Sequence, residues 1–380
     1  MPALTEEQRF VVESVTEIAE NEFSDRAFSY DDGERPEANI ALLAENGYLG
    51  INFDEAYGGG GMSEYEAVLL IEAVGRVCPD TAVHLAEQQM VAPRAVSMFG
   101  SEAAKERYLP EVTAGESGIA IAMSEPEAGS DVKAMNTTVE ERDGELVLNG
   151  EKIWVSGVPH YDYAVVWVRF PGEGLGSVVI ELDWPGVEMQ QHYTNMAGHT
   201  QTHFYMEDVV VPPENVLTRG QAAFKQQLKA LNWERIATAT ISNAAALCAA
   251  EKALEYANDR EQFGQPIAEF QGIEWKLAEI VSQLQAARTL THNAAADARA
   301  EDRIADPLQT SIVKLYATRT AQQVVDEALQ IHGANGYQQG HALEYLYRFV
   351  RGNRIAGGTD EMMKNTIARM VKKQGIPSLI

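Results

Sequence analysis

The stretch that could do chemistry most visibly lies near the C-terminus, in Arg354-Ile355-Ala356-Gly357-Gly358-Thr359-Asp360-Glu361. Two glycines permit a tight bend through positive φ. Thr359 or Asp360 can then cap a helix whose positive end favours Asp360 and Glu361. Met363, Ile367, Met370 and Val371 would form its apolar face, Lys372 and Lys373 its last turn, and Gly375 its end. A helix entered through Gly-Gly can hold a phosphate or bring backbone N–H groups against a ligand; the same pattern also serves as a plain helix start. Three further stretches carry candidate groups. Ser124-Glu125-Pro126-Glu127-Ala128-Gly129-Ser130-Asp131 is dense in turn residues after a short apolar run. Lys152-Ile153-Trp154-Val155-Ser156-Gly157 sets an indole and a hydroxyl two residues apart, on one face of a strand, where they could meet a flat ring and its edge. Asp259-Arg260-Glu261-Gln262-Phe263-Gly264-Gln265-Pro266-Ile267 places an arginine where a pyrophosphate could be met. Taken singly, each also reads as structure alone: a turn, a core tryptophan, a helix cap.

Other chemistries find no support. His199 and His203 are four apart on a strand pattern, about 13 Å, too far to share a metal. The chain has no HExxH, CxxC or GxSxG, and the glycines at 58–61 are not followed by a phosphate-loop pattern.

The elements that must position these residues fall into three blocks. Residues 1–115 read as helices, with apolar spacing at Val11, Val12, Val15 and Ile18, around Ala41–Leu43, and over 64–78 and 83–98. Residues 116–221 change period: alternating segments at 137–141, 145–149, 162–170, 176–182 and 203–211, with turns at Asp143-Gly144 and Asn149-Gly150, predict an antiparallel β-barrel or sandwich. Residues 222–380 return to helices over about 222–259, 269–299, 305–333, 341–350 and 360–374, a four-helix-bundle-like domain. The class is α+β.

Bulk properties narrow the partners. A net charge of −26 argues against nucleic acid and anionic membrane surfaces. The acid is dispersed and lysine is scarce, 11 against 19 arginines, as in adaptation to high salt. Two isolated cysteines, Cys78 and Cys248, fit a reducing cytoplasm and form no disulfide framework. The N-terminus has neither the basic nor the apolar region of a secretory signal, and no apolar run reaches membrane-spanning length.

Together and in order, these motifs resemble the acyl-CoA dehydrogenase family of flavoproteins, along essentially the whole chain. The resemblance rests on Gly47-Tyr48-Leu49-Gly50, Tyr57-Gly58-Gly59, Arg107-Tyr108-Leu109-Pro110 and the Ser124–Asp131 stretch. It continues through Asn149-Gly150, Lys152-Ile153-Trp154, Asp208-Val209, Arg260 with Gln262-Phe263-Gly264, Gln330-Ile331-His332-Gly333 and Gly357-Gly358-Thr359. It implies FAD as cofactor, held by the middle and C-terminal domains. Met123, Ser124 and Ser130 would line the flavin and the CoA arm, with Trp154 and Val155 beside the isoalloxazine and the Ser156 hydroxyl near its N5. Arg260, Gln262 and Gln271 would bind the FAD of a neighbouring subunit. Gln330, Ile331, His332, Gly333 and Ala334 would meet the adenine half, and Thr359, Asp360 and Glu361 complete the site. Shared sites imply a homo-oligomer, in the family a tetramer built as a dimer of dimers.

The implied reaction is α,β-dehydrogenation of an acyl-CoA, with electrons passed to an electron-transferring flavoprotein. A carboxylate takes the α-proton, hydride leaves to the flavin, and hydrogen bonds to the thioester carbonyl favour the enolate-like transition state. Most members place the catalytic glutamate immediately before Gly-Thr, where this chain has Gly357. A minority, resembling the isovaleryl and long-chain enzymes, carry it on a C-terminal-domain helix before an arginine, and here Asn232-Trp233-Glu234-Arg235 occupies that place. The resemblance therefore implies Glu234 as base and the Gly357 N–H as carbonyl donor. Asn232, Arg235, Gly358 and Ser130 would contact the substrate. Alternatives are an oxygen-using oxidase or hydroxylase of the same family, or a non-catalytic flavin- or CoA-binding homologue.

Overall fold

The structure, a computed structural model, describes residues 1–28, 34–300 and 305–376. Helices come first: α1 (Glu6–Ile18), α2 (Glu37–Glu45), α3 (Glu64–Val77), α4 (Pro79–Met90), α5 (Ala92–Phe99) and α6 (Glu102–Thr113). Strands β1 (Ile119–Ala122), β2 (Thr138–Arg142), β3 (Glu145–Ser156), β4 (Tyr163–Phe170), β5 (Gly174–Glu181), β6 (Val187–Thr194), β7 (Thr200–Val211) and β8 (Val216–Thr218) follow. The long α7 (Ala223–Asp259) leads to a short hairpin, β9 (Glu261–Gln262) and β10 (Gln265–Pro266). Then come α8 (Gln271–Ala300), α9 (Pro307–His332), α10 (Ala342–Asn353) and α11 (Asp360–Gln374).

The expected helix over 83–98 is instead the end of α4 and all of α5. Pro93, in the first turn of α5, cannot continue a preceding helix, and the chain turns at Val91. Pro79 likewise opens α4 directly after α3.

The chain divides into two compact units. One comprises Met1–Tyr30, Glu64–Val83 and Arg235–Ile380; the other comprises Asp31–Ser63 and His84–Glu234. The boundary passes through α4 and α7.

The second unit is built on one sheet, ordered β6-β7-β3-β2-β4-β5-β8 with β1 beside β4. Its pairing path does not close, so the middle of the chain is a sandwich and not a barrel. Pairing is antiparallel except for β1 with β4 and a single β2–β4 contact, both parallel. Val155, Phe204 and Val209 from one half of the sheet meet Val166, Val178 and Ile180 from the other in the core. The opposite face of β4 and β5 packs, through Val165, Trp167 and Val179, on Val96, Tyr108 and Val112 of α5 and α6. Strand β4 is therefore covered on both faces, which is why it reads as an unbroken apolar run.

The first unit is helical. Gly75 of α3 lets backbones approach closely: a Cβ there would sit 2.8 Å from that of Ala244 and 2.9 Å from that of Ala82. Asn243 Nδ2 of α7 donates to Thr291 Oγ1 of α8 at 2.9 Å, and Asn353 Nδ2 of α10 donates to Ser242 Oγ of α7 at 3.0 Å. Helix α9 packs against α8, α10 and α11. One charged cluster is buried here. Glu72 Oε1 of α3 accepts from Arg288 Nη2 at 2.7 Å and faces His292 Nε2 at 3.2 Å, both on α8.

Burial alone would raise the Glu72 carboxyl, but His292 and Arg288 outweigh it and hold the group down to about 2. A carboxylate depressed in the folded state stabilises fully above its unfolded value and loses that contribution as pH falls through the folded one. Glu72 therefore contributes stability at neutral pH that disappears between about 4.5 and 2. Urea melts at stepped pH should show Glu72→Gln destabilised at pH 7, with the difference from wild type shrinking steadily below pH 4.5.

Candidate active site

Two groups of candidate residues are each organised within their own unit. In the second unit the centre is β3. Its pairing with β7 slips between Lys152 and Val155, three residues against two on the partner, which is a β-bulge. Trp154 occupies the bulge with φ +61°, a left-handed conformation that a bulky residue rarely adopts. Trp154 is 51% exposed while Val155 is buried. Its ring centroid lies 4.9 Å from that of Tyr193 on β6. Trp154 and the partly exposed Ser156 thus share the outer face, as the two-residue spacing requires. Lys152, of the same parity, is fully buried, because the bulge breaks the alternation.

Lys152 is the hidden partner of the Ser124–Asp131 loop. Its ammonium donates to Glu125 Oε1 at 2.8 Å and to the Met123 carbonyl at 3.2 Å. Glu125 also accepts the Asn136 N–H at 2.6 Å and the Thr137 N–H at 3.0 Å, closing the loop at its far end. The Ile153 N–H donates to the Ser124 carbonyl at 3.0 Å. Met123 and Ser124 are therefore tied to the strand at Lys152 and Ile153, while Ser130 is exposed at the loop's outer part. Burial pulls the Lys152 ammonium down to about 8 against the opposing pull of Glu125.

The same unit contains a narrow cavity. From the strands, Ile121, Val165, Trp167 and Ser177 line it; Val91, Ala95 and Phe99 close one side. From α7 come Gln227, Ala230, Leu231 and Glu234, the i, i+3, i+4, i+7 face of one helix. Glu234 thus lies on a narrow, mostly apolar wall. Asn232 is buried on the same helix but does not line this cavity.

In the first unit, Gly357 and Gly358 have φ of +64° and +103°, and Thr359 caps α11 with its hydroxyl 3.4 Å from the Met362 N–H. The loop is held by cations. Arg235 Nε donates to the Gly357 carbonyl at 3.3 Å, and Lys314 Nζ donates to the Gly358 carbonyl at 2.7 Å. Asp360 is taken up by Arg319 at 2.9 Å and Arg354 at 2.5 Å, while Glu361 points outward. Gln330, Ile331, His332, Gly333 and Ala334 form the C-terminal end of α9, with Gly333 as its cap. His332 stacks on Tyr256 at 4.2 Å, Ile331 is buried, and the other three are exposed. Arg260 lies at the base of the β9–β10 hairpin, Gln262 pairs with Gln265 beside its turn, and Gln271 begins α8; all three are exposed. The hairpin turns through Phe263 and Gly264, both with positive φ, and leaves Phe263 95% exposed.

Profiles of the acyl-CoA dehydrogenase N-terminal, middle and C-terminal domains match residues 5–116, 120–209 and 223–372. A probable acyl-CoA dehydrogenase of Bacillus subtilis is 31% identical, with 97% of this chain and 99% of the relative covered. The chain belongs to the acyl-CoA dehydrogenase family. It is an oxidoreductase, and its cofactor is FAD. Among solved structures, butyryl-CoA dehydrogenase of Megasphaera elsdenii superposes with a TM-score of 0.92 at 28% identity, covering 98% of this chain and 100% of that one. A chain from work on the electron transferring flavoprotein of Acidaminococcus fermentans gives 0.92 at 28%, covering 98% and 99%.

The residues present fit the cofactor. An outward-facing indole flanked by a tyrosine, with a hydroxyl two residues on, offers a flat face and a hydrogen-bonding edge, as a tricyclic ring requires. No group of three or more His, Cys, Asp or Glu side chains among the described residues could hold a metal ion. No helix among them is long and apolar enough to cross a membrane.

Removing Lys152 leaves a buried carboxylate short of its cation, which costs about 3–5 kcal/mol. Chemical denaturation should show that loss for Lys152→Met. The double variant Glu125→Leu/Lys152→Met should not recover it, because the Asn136 and Thr137 N–H groups then lose their acceptor.

Proposed function

We propose that the protein dehydrogenates an acyl-CoA at its α and β carbons with Glu234 as the base. The observation that carries this reading is the position of Glu234 on the cavity-facing side of α7, beside Ala230 and Leu231. A carboxylate facing an apolar acyl wall can be set against an α-hydrogen, whereas Gly357 in the loop can hold no proton. The left-handed backbone at Gly357 and Gly358, fixed through both carbonyls by Arg235 and Lys314, leaves the Gly357 N–H as a carbonyl donor of constant orientation. Gly358, Asn232, Arg235 and Ser130 complete the substrate contacts.

FAD, when bound, supplies the hydride acceptor. Trp154 and Val155 present the bulge to it, and Ser156, Ser124, Met123 and Ser130 offer polar atoms around it. The end of α9 at Gln330, Ile331, His332, Gly333 and Ala334 serves the adenine half, with Thr359, Asp360 and Glu361 at the start of α11. Arg260, Gln262 and Gln271 serve the cofactor of a second subunit. The protein is thus a homo-oligomer, a tetramer in this reading. What supports it is a strained turn that holds Phe263 in water, and Trp275 of α8, 65% exposed. The electrons pass to an electron-transferring flavoprotein, a step supported by the Acidaminococcus fermentans neighbour. Helix-borne bases point to branched or long acyl groups within the family, and the acidic, lysine-poor surface to a cytoplasm of high salt.

Two measurements test the reading. Anaerobic addition of an acyl-CoA should bleach the flavin of the wild type, and Glu234→Gln should slow this by about 10²–10⁴-fold; equal rates would remove Glu234 from the mechanism. Light scattering should show an assembly larger than one chain, reduced in mass by Phe263→Asp; an unchanged mass would clear the hairpin of any part in assembly.

A further inference from the structure

Gln227 is a feature of the cavity wall that a hydrocarbon chain does not explain. It is 4% exposed, and neither Oε1 nor Nε2 has a hydrogen-bond partner in the protein. A buried amide with its donors and its acceptor unmet is costly, so native cores keep few of them. The side chain lines the cavity on the face that carries Glu234. A second polar group lines the same space: Ser177, whose hydroxyl exchanges a hydrogen bond with Thr218 Oγ1 at 3.2 Å and keeps capacity for another. Glu234 apart, the rest of the wall is aliphatic or aromatic, and no lysine or arginine is part of it.

We propose that Gln227 recognises a neutral hydrogen-bonding group on the acyl chain, so that the substrate is an acyl-CoA carrying a hydroxyl, keto or amide function away from the thioester. This rests on the reading of the cavity as the acyl site. An amide offers donors and an acceptor together, which suits a hydroxyl or another amide in either sense. A carboxylate is disfavoured, because the wall supplies no cation and already carries Glu234. The position of the group follows from the helix. Gln227 and Glu234 are two turns apart, about 10 Å along the axis. With Glu234 at the α-carbon, Gln227 meets the chain several carbons further on. A plain alkyl chain of the same length leaves the amide unsatisfied, the situation in which binding sites discriminate most strongly.

The test is equilibrium binding of three CoA thioesters, hexanoyl, 6-hydroxyhexanoyl and adipoyl, to the FAD-loaded protein, followed by calorimetry. The wild type should bind the hydroxy compound about tenfold or more tightly than hexanoyl-CoA, with adipoyl-CoA the weakest. Gln227→Met and Gln227→Leu, checked for FAD content and thermal midpoint, should lose or reverse the preference; either folded variant suffices. A wild type that prefers hexanoyl-CoA or adipoyl-CoA, or a hydroxyl preference that survives in the variants, overturns the assignment. Carried out on the dithionite-reduced protein, whose flavin can take no hydride, the titration reports binding alone and is separate from the flavin-bleaching experiment. A hydroxyl preference in a protein whose flavin does not bleach would sink the dehydrogenase reading and leave the subsite standing.

Discussion

The buried pair of Lys152 and Glu125 is the contact on which the arrangement of the second unit's loop and bulge depends. It is the meeting point of three segments that sequence keeps apart: the end of β1, the loop to β2, and the bulge of β3. A buried pair is seldom a strong source of net stability, since desolvation offsets most of the attraction. Its effect here is positional. Glu125 is saturated by Lys152 and two backbone N–H groups, so the loop has one arrangement. Lys152, drawn inward, leaves the next outward place in the strand to Trp154, whose left-handed backbone costs about 1–3 kcal/mol and persists because its surroundings over-determine it.

Helix α7 has a different division of labour. One face, seen at Gln227, Ala230, Leu231 and Glu234, borders the cavity. Further along, Ala237, Ala239, Ala244, Ala245 and Ala246 are buried, small enough to let neighbouring helices approach. A long helix with little amphipathic contrast can serve both purposes because each stretch of it answers to a different environment.

Much of this was legible in the sequence where a pattern had one physical cause. The expected helix over 222–259 is α7 at Ala223–Asp259, and the cap at Thr359 forms as the Gly-Gly-Thr-Asp pattern requires. Residues failed to declare themselves where two causes competed. Strand β6 is an exposed, polar edge, so Val187–Thr194 shows no alternation to read. Lys152 looks like a solvent-facing residue by parity and is buried because a one-residue bulge moves it. The hairpin at Phe263 reads as a helix end, since a phenylalanine at positive φ is not a turn signal. Of the cavity wall, Val91 and Ala95 lie in the expected 83–98 segment, and Leu231 and Glu234 in the expected 222–259 helix. Ile121, Val165, Trp167 and Ser177 come from strands whose facing depends on sheet packing. Gln227 was within reach, two turns before Glu234 on one helical face.

The left-handed backbone at Gly357 also bears on how such a site can change over generations. A side chain there would have to adopt a conformation costing about 1–2 kcal/mol, in a loop whose carbonyls Arg235 and Lys314 already hold. A glutamate introduced at 357 by one substitution would carry that strain while Glu234 remained in place.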